Sequence, residues 1–186
     1  MSGDTERFFV VTGGPGSGKT TLIEALRGAG YAASVEAGRG IIQDQVAIGG
    51  RALPWHNPEL FAELMLSWEV RSYHLAQQTS GLVFFDRGVV DMVGYFRLLG
   101  LPVPQHVVKA SQVFRYHRRV FLAPPWPAIY EQDRERKQDF AEAARTCEAM
   151  AAAYTEYGYE LVELPREPVG ERIRFVLDAI GLGNNA

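Results

Sequence analysis

A short stretch near the start of the chain combines glycines, a lysine and a hydroxyl at a spacing that suits phosphate binding. Residues 13–20 match G-x-x-x-x-G-K-[ST]. The glycines permit backbone angles that other residues avoid, so successive N–H groups can turn toward phosphate oxygens. Lys19 supplies a charge for the β- and γ-phosphates, and the Thr20 hydroxyl is a Mg²⁺ ligand. The residues predicted to hold the nucleotide are Gly13, Gly14, Pro15, Gly16, Ser17, Gly18, Lys19, Thr20 and Thr21.

An acidic residue ends the apolar run 82–86, which has the composition of a strand buried on both faces. Ligands bind at the carboxyl ends of strands in open α/β sheets. Asp86 is therefore a candidate to hold Mg²⁺, directly or through water. The alternative is that Asp86 only caps the helix that follows. The phosphate loop favours the metal role.

Strand-like and helix-like segments alternate along the whole chain. This order predicts βαβ crossovers and a three-layer α/β domain with helices on both faces of a parallel sheet. A single domain over residues 1–186 fits the length. The predicted strands are 7–12, 31–36, 82–86, 119–123 and 159–163, and the predicted helices are 19–27, 39–48, 59–79, 89–99, 105–116, 133–157 and 169–180.

Composition narrows the class of partner. The net charge of −3 argues against nucleic acid, and no uncharged apolar run approaches the roughly 18–20 residues of a membrane span. Cys147 is the single cysteine, so no disulfide can form within the chain. We expect a cytoplasmic protein. No [NT]-K-x-D occurs, which favours ATP over GTP, and the chain is too short for the helical lid domain of ring-forming AAA+ machines.

A set of motifs gives a more specific resemblance. They are GGPGSGKTTLI (13–23), E-x-G-R-x-I-I (36–42), GG-x-x-LPW (49–55), FFDRG (84–88), PPW-x-x-IY (124–130), DRERKQ (133–138) and GYELVELP (158–165). From about residue 9 to 175 the chain resembles a family classified as AAA-type ATPases or kinases. That family looks related to nicotinamide riboside kinases and deoxynucleoside kinases.

The resemblance implies a P-loop fold with strand order 2-3-1-4-5, an acceptor-side helical segment at about 39–79 and a lid at about 124–140. In kinases of that group an acid near the end of strand 2, here Glu36, serves as general base. An Asp-Arg pair ends strand 3, as Asp86 and Arg87 do here. Arginines of the lid reach the transferred phosphate, and Arg134 and Arg136 fall in that region.

Each assignment has a structural alternative. A carboxylate near the acceptor hydroxyl can accept the proton of that hydroxyl, and either Glu36 or Asp86 could play this role. Alternatively, Glu36 could be a surface acid at the start of a helix. Arg39 and Arg87 could bind phosphate through their guanidinium forks or form ion pairs with Asp86 or Glu36. The charged run 133–137 could simply be a solvated helix face.

Aromatic and polar residues between strands 2 and 3, and just after strand 3, are candidates for the acceptor pocket. Helical spacing places Trp68 with Leu60 and Leu64 in the core, whereas Trp55 lies beside prolines in a loop and is the better ligand candidate. The full set is Trp55, His56, Trp68, Arg71, Tyr73 and Tyr95.

These observations predict an ATP-dependent, Mg²⁺-requiring kinase whose acceptor is a small, hydroxyl-bearing, nucleoside-like molecule. The alternative is a regulatory ATPase that acts through a protein partner, and a homodimer is left open. A hydrolase that uses water as acceptor is a third reading.

Overall fold

A parallel sheet runs through the middle of the molecule in the order β2-β3-β1-β4-β5, which confirms the predicted topology. The structure is a computed structural model that describes residues 5–130 and 139–183. Its strands are β1 (Phe8–Gly13), β2 (Ala32–Ala33), β3 (Val83–Asp86), β4 (Arg119–Ala123) and β5 (Glu160–Glu163). Its helices are α1 (Lys19–Gly28), α2 (Ala37–Ile48), α3 (Pro58–Gln77), α4 (Val90–Leu98), α5 (Gln105–Val113), α6 (Phe140–Glu156) and α7 (Val169–Ala179).

Alternate residues of β1 face opposite sides of the sheet, because side chains of a strand point to either face in turn. Phe8 and Val10 pack into a core with α2, α3, α4, α5 and α6. Phe9 and Val11 pack into a second core with α1 and α7. The sheet is therefore covered on both faces, as the alternating pattern predicts.

Strand β2 is much shorter than the predicted segment 31–36. The backbone N–H of Ser34 still donates to the Phe84 carbonyl at 2.8 Å, but Asp86 N–H then donates to the Ser34 hydroxyl at 2.9 Å. The side chain of Ser34 thus replaces a backbone acceptor, and the ladder ends there. The placement of Glu36 at a strand end is wrong, because Glu36 is the N-cap residue of α2.

Helix α3 buries a different face from the one its leucines suggest. Leu60 is exposed, and Leu64 and Trp68 are only partly buried. The fully packed face lies one residue further along and includes Phe61, Met65, Glu69, Tyr73 and Ala76. Leu64 and Trp68 pack against this core while staying partly exposed, which agrees with the prediction that Trp68 is a core residue.

Helix α6 begins at Phe140 with a capping box. The Asp139 carboxylate accepts from Glu142 N–H at 2.7 Å, and the Glu142 carboxylate accepts from Asp139 N–H at 2.9 Å. The predicted start at residue 133 lies outside the described residues. After Ala123, within residues 124–130, a 3₁₀ turn spans Pro127–Ile129.

Candidate nucleotide and acceptor site

The loop between β1 and α1 requires glycine at several positions. Gly13, Gly16 and Gly18 have positive φ angles of 135°, 69° and 73°. A Cβ on Gly14 would lie 2.2 Å from the Ala143 carbonyl oxygen, so α6 packs directly on the loop. These constraints match the backbone expected of a phosphate-binding loop.

Lys19 folds back over its own loop. Its ammonium donates to the Gly14 carbonyl at 2.6 Å and lies 3.3 Å from the Ser17 hydroxyl, and the residue is buried. The Ser17 hydroxyl also donates to the Gly14 carbonyl at 2.8 Å. The charge of Lys19 therefore lies inside the loop, where a phosphate group would meet it.

Three predicted site residues meet beside the loop. Thr20 Oγ1 lies 3.4 Å from Glu36 Oε2 and 3.4 Å from Asp86 Oδ2. Asp86 is buried, and its Oδ1 has no hydrogen-bond partner among the described residues. Burial raises the pKa of Asp86, and the nearby Lys19 opposes this shift. The first turn of α1, the end of β3 and the start of α2 position these groups.

This donor set suits Mg²⁺ held together with a nucleotide. Mg²⁺ binds one or two protein oxygens plus phosphate oxygens rather than a dedicated protein cage. The unpaired Asp86 oxygen and the Thr20 hydroxyl supply such oxygens. Within residues 5–130 and 139–183, no cluster of three or more His, Cys, Asp or Glu side chains is arranged to hold a metal by itself.

Arg87 forms an ion pair, but with neither predicted partner. Its Nη1 lies 3.2 Å from Asp91 Oδ1 and donates to the Gly13 carbonyl at 2.9 Å. Burial, the largest single influence, lowers the pKa of Arg87, but the carboxylates of Asp91, Glu36 and Asp86 together outweigh burial and raise this pKa. Arg87 also has a φ of 73°, an uncommon conformation for a residue with a side chain.

Asp91 is a central residue of the site that the sequence analysis missed. Its carboxylate accepts from the Thr12 hydroxyl at 2.5 Å, Gly88 N–H at 2.9 Å and the Tyr154 hydroxyl at 2.7 Å, in addition to Arg87. The network joins the end of β1 to the start of α4 and to α6. The only sequence signal is an acid four residues after Arg87, a spacing at which side chains of a helix meet.

A cavity of about 450 Å³ opens beside Glu36. Its apolar lining includes residues of α2, α3, α4 and α6 and of the loop before α3. The charged residues at its edge include Arg39, Arg87 and Glu142. The apolar lining is Pro15, Ile42, Pro54, Trp55, Phe61, Met65, Met92, Leu98 and Met150, with the ring of Tyr95.

Two of the six acceptor candidates line this cavity, Trp55 and Tyr95. The Tyr95 hydroxyl is buried without a partner among the described residues, and burial raises its pKa to about 12. Tyr73 instead lies in the core and donates to the Arg115 carbonyl at 2.9 Å. His56 is exposed and accepts from Arg51 at 3.0 Å. Trp68 and Arg71 line a separate groove beside β2.

Glu69 is a second residue that sequence analysis missed. It is buried on α3, and both carboxylate oxygens have no hydrogen-bond partner within the described part of the chain. Burial, with the nearby carboxylates of Asp91 and Asp86, raises the pKa of Glu69 well above its ordinary value. The side chain therefore carries a proton at pH values where an exposed glutamate is charged. Its position one turn after Met65 places it beneath the cavity lining.

Parts of the predicted lid lie over the phosphate loop. A Cβ on Gly16 would come within 2.6 Å of the Tyr130 ring, so this tyrosine packs against the loop. Tyr130 also contacts Phe140 edge-to-face, with ring centroids 5.4 Å apart. Tyr130 and Phe140 therefore pack together beside the loop. Arg134 and Arg136 lie outside the described residues.

The sheet order, the glycine-constrained loop and the acid at the end of β3 define the P-loop class of nucleotide-binding folds. Within this class, a family described as AAA domain matches residues 8–172. The chain belongs to that family.

Solved structures with similar folds include several kinases. Deoxyadenosine kinase from M. mycoides, with dCMP and dCDP bound, matches with a TM-score of 0.68 at 12% identity, over 93% of this chain and 98% of that one. NadR protein in complex with NAD and AMP-PNP matches with a TM-score of 0.67 at 18% identity, over 98% of this chain but 51% of that one. Shikimate kinase from Acinetobacter baumannii, in complex with shikimate, matches with a TM-score of 0.58 at 14% identity, over 97% of this chain and 96% of that one.

No curated protein sequence matches the chain significantly. Among the described residues, no helix combines the length and the apolar composition needed to span a membrane.

Proposed function

We propose that this chain is an ATP-dependent kinase that transfers the γ-phosphate of Mg-ATP to a hydroxyl of a small, ring-bearing, nucleoside-like acceptor. One observation carries the proposal: Glu36 contacts the phosphate loop through Thr20 and also lines the apolar cavity. A single carboxylate therefore lies between the nucleotide site and a space of about 450 Å³, which is large enough for a small ligand. The kinase structures of similar fold support the same class of reaction.

The residues divide the chemistry of phosphoryl transfer among them. The loop N–H groups and Lys19 bind the β- and γ-phosphates. Thr20 and Asp86 would hold Mg²⁺, which would neutralise phosphate charge. Glu36 accepts the proton of the acceptor hydroxyl as the hydroxyl oxygen forms a bond to the γ-phosphorus of ATP. The bond between the γ-phosphorus and the β,γ-bridging oxygen breaks, and ADP is released. Asp86 is the less suitable base because it is buried and, unlike Glu36, is not among the residues that line the acceptor cavity.

The cavity determines which acceptor fits. Trp55 and Tyr95 offer aromatic surfaces, and Met65, Met92 and Met150 offer side chains that adapt to irregular shapes. Arg39 and Arg87 line the cavity and would attract the charge of the transferring group, a role that the lid residues Arg134 and Arg136 would share. The unpaired Tyr95 hydroxyl favours an acceptor that carries a polar group within its ring.

The direct test measures ADP release from Mg-ATP by the purified chain, alone and with a panel of nucleosides, ribosylated cofactor precursors, nucleoside monophosphates and sugars. The proposal predicts that one class, bearing a ring and a hydroxyl, stimulates release at least tenfold and appears as a phosphorylated product by mass spectrometry. Stimulation by simple sugars but not by nucleosides would contradict the nucleoside-like acceptor.

A second candidate function is a regulatory ATPase that acts through a protein partner. It is favoured by a separate apolar groove of about 650 Å³ beside β2, lined by Leu64, Trp68 and Leu75 among others. Such a groove, away from the nucleotide loop, suits protein contact. Slow ADP release that no member of the panel stimulates would favour this function over the kinase.

A further inference from the structure

Arg172 on α7 is a buried cation beneath the phosphate loop. Only 3% of the residue is exposed. Its Nη1 donates to the Gly18 carbonyl at 3.0 Å, and its Nη2 donates to the Ser17 carbonyl at 3.4 Å. The guanidinium also lies 6.0 Å from the ring centre of Trp126, which follows β4. One side chain thus joins α7 to the loop and to the segment after β4.

Among the residues that the structure describes, no carboxylate pairs with the guanidinium of Arg172. Its only hydrogen bonds within residues 5–130 and 139–183 go to backbone carbonyls, and its Nε has no partner. Burial lowers the pKa of Arg172, and no carboxylate in the described part of the chain opposes that shift. A buried unpaired charge destabilises the folded chain unless other groups compensate for it.

The position of Arg172 makes the burial of its charge still more unfavourable. Gly18 is the N-cap of α1, and its carbonyl also accepts the first hydrogen bond of that helix, from Leu22 N–H at 3.2 Å. The N-terminus of a helix is the positive end of its dipole, so a cation beside it is unfavourable. Arg172 and the positive end of the α1 dipole therefore lie close together, and the Lys19 ammonium adds a further positive charge inside the loop. A bound anion of high charge would relieve their repulsion.

The two hydrogen bonds also orient the loop. In a trans peptide the C=O and N–H groups point in opposite directions. By holding the carbonyls of Ser17 and Gly18, the Arg172 fork directs the N–H groups of Gly18 and Lys19 away from itself. These are the N–H groups that the loop sequence predicts to face phosphate.

We propose that Arg172 is a positioning residue for the triphosphate: it holds the Ser17 and Gly18 peptides in their phosphate-facing orientation and adds a buried positive charge beneath the loop. Nothing in the sequence motifs assigns this role, since Arg172 lies about 150 positions after the loop. The inference rests on the proposed binding of Mg-ATP at this loop. It further implies that affinity depends on the number of phosphate charges.

The test compares the dissociation constants of Mg-ATP, Mg-ADP and AMP by isothermal titration, at low and at high KCl. Arg172→Gln is expected to weaken Mg-ATP binding about tenfold or more, Mg-ADP less and AMP least, with the largest difference at low salt because salt screens charge. Arg172→Lys keeps the charge without the fork, so we expect a loss of about threefold for all three nucleotides and the salt dependence of the original chain.

Arg174→Gln is the matched control, because Arg174 is exposed on the same helix and pairs with Glu171. It should bind all three nucleotides within about twofold of the original chain. An Arg174→Gln loss equal to that of Arg172→Gln would contradict the inference, as would an Arg172→Gln loss that is the same for ATP and AMP at both salt concentrations.

Circular dichroism shows whether Arg172→Gln folds. If it does not, Arg172→Lys tests the positioning role, and unchanged binding of all three nucleotides by Arg172→Lys would overturn that role. The failure of the proposed function looks different. In that case the original chain itself would not bind Mg-ATP, whereas binding that is insensitive to Arg172 contradicts this inference alone.

Discussion

Arg87 and Asp91, four residues apart, form a partly buried ion pair with 3.2 Å between Arg87 Nη1 and Asp91 Oδ1, and the same nitrogen donates to the Gly13 carbonyl at 2.9 Å. This contact ties the end of β3 to the first residue of the phosphate loop. It also supports the positive φ of Arg87, a conformation that costs of order 1 kcal/mol or more on its own. The loop is therefore supported from β3 and α4 as well as by its own glycines.

Asp91→Ala is predicted to lower the free energy of unfolding by about 3–5 kcal/mol, because it leaves the partly buried Arg87 charge without its carboxylate and the buried Gly88 and Tyr154 donors without an acceptor. Urea unfolding measures this loss. The control is Asp44→Ala on the exposed side of α2, which should change stability by no more than about 0.5 kcal/mol. Equal losses in the two variants would contradict the central role of the Asp91 network.

Glu69→Gln is predicted to change how stability depends on pH. The raised pKa of Glu69 in the folded chain means that its stabilising contribution is complete below the unfolded value of about 4.5 and is lost as pH rises toward the folded value. The glutamine variant cannot lose a proton there. Its stability relative to the original chain should therefore increase with pH above about 4.5, by up to about 1.4 kcal/mol per pH unit.

Thermal or urea unfolding between pH 4 and pH 8 measures this difference. Glu59→Gln is the matched control, because Glu59 is exposed at the start of the same helix. Parallel pH profiles for the Glu69 variant and the original chain would show that Glu69 does not hold its proton in the folded state.

Glu36→Gln is predicted to leave the Mg-ATP dissociation constant within about threefold while slowing phosphoryl transfer by about 10²–10⁴-fold, the usual contribution of a general base. Single-turnover transfer and isothermal titration measure the two effects separately. Glu24→Gln, an exposed position on α1, should alter neither. A loss of Mg-ATP binding by Glu36→Gln would instead assign Glu36 to holding Thr20 or the metal.

Lys19→Ala is predicted to abolish the rise in melting temperature that Mg-ATP produces, because it removes the charge that lies inside the loop. Differential scanning fluorimetry with increasing Mg-ATP measures the shift. Lys109→Ala, on the exposed surface of α5, serves as the control and should keep the full shift. A Lys19→Ala chain that Mg-ATP still stabilises would contradict the assignment of residues 13–21 as the nucleotide site.

The sequence alone determined the features that depend on neighbours in the chain. The alternating segments predict the three-layer α/β architecture, because periodicity reflects which face a strand or helix buries. The glycines, Lys19 and Thr20 lie within eight consecutive residues, so their spacing is sufficient to predict the loop. The strand order came from the resemblance to kinases, and the sheet confirms it.

Tertiary structure alone decided the contacts between residues that are distant in the chain. Arg172 reaches the loop only because α7 packs beside α1, and Tyr154 reaches Asp91 only because α6 packs on α4. The hydropathy pattern of α3 does not reveal its buried face. The ionisable residue Glu69 lies on that face, although hydropathy alone would place it in solvent. Local sequence patterns carry no information about contacts between residues that are distant in the chain. Packing brings such residues together, and burial then determines whether their ionisable groups are charged.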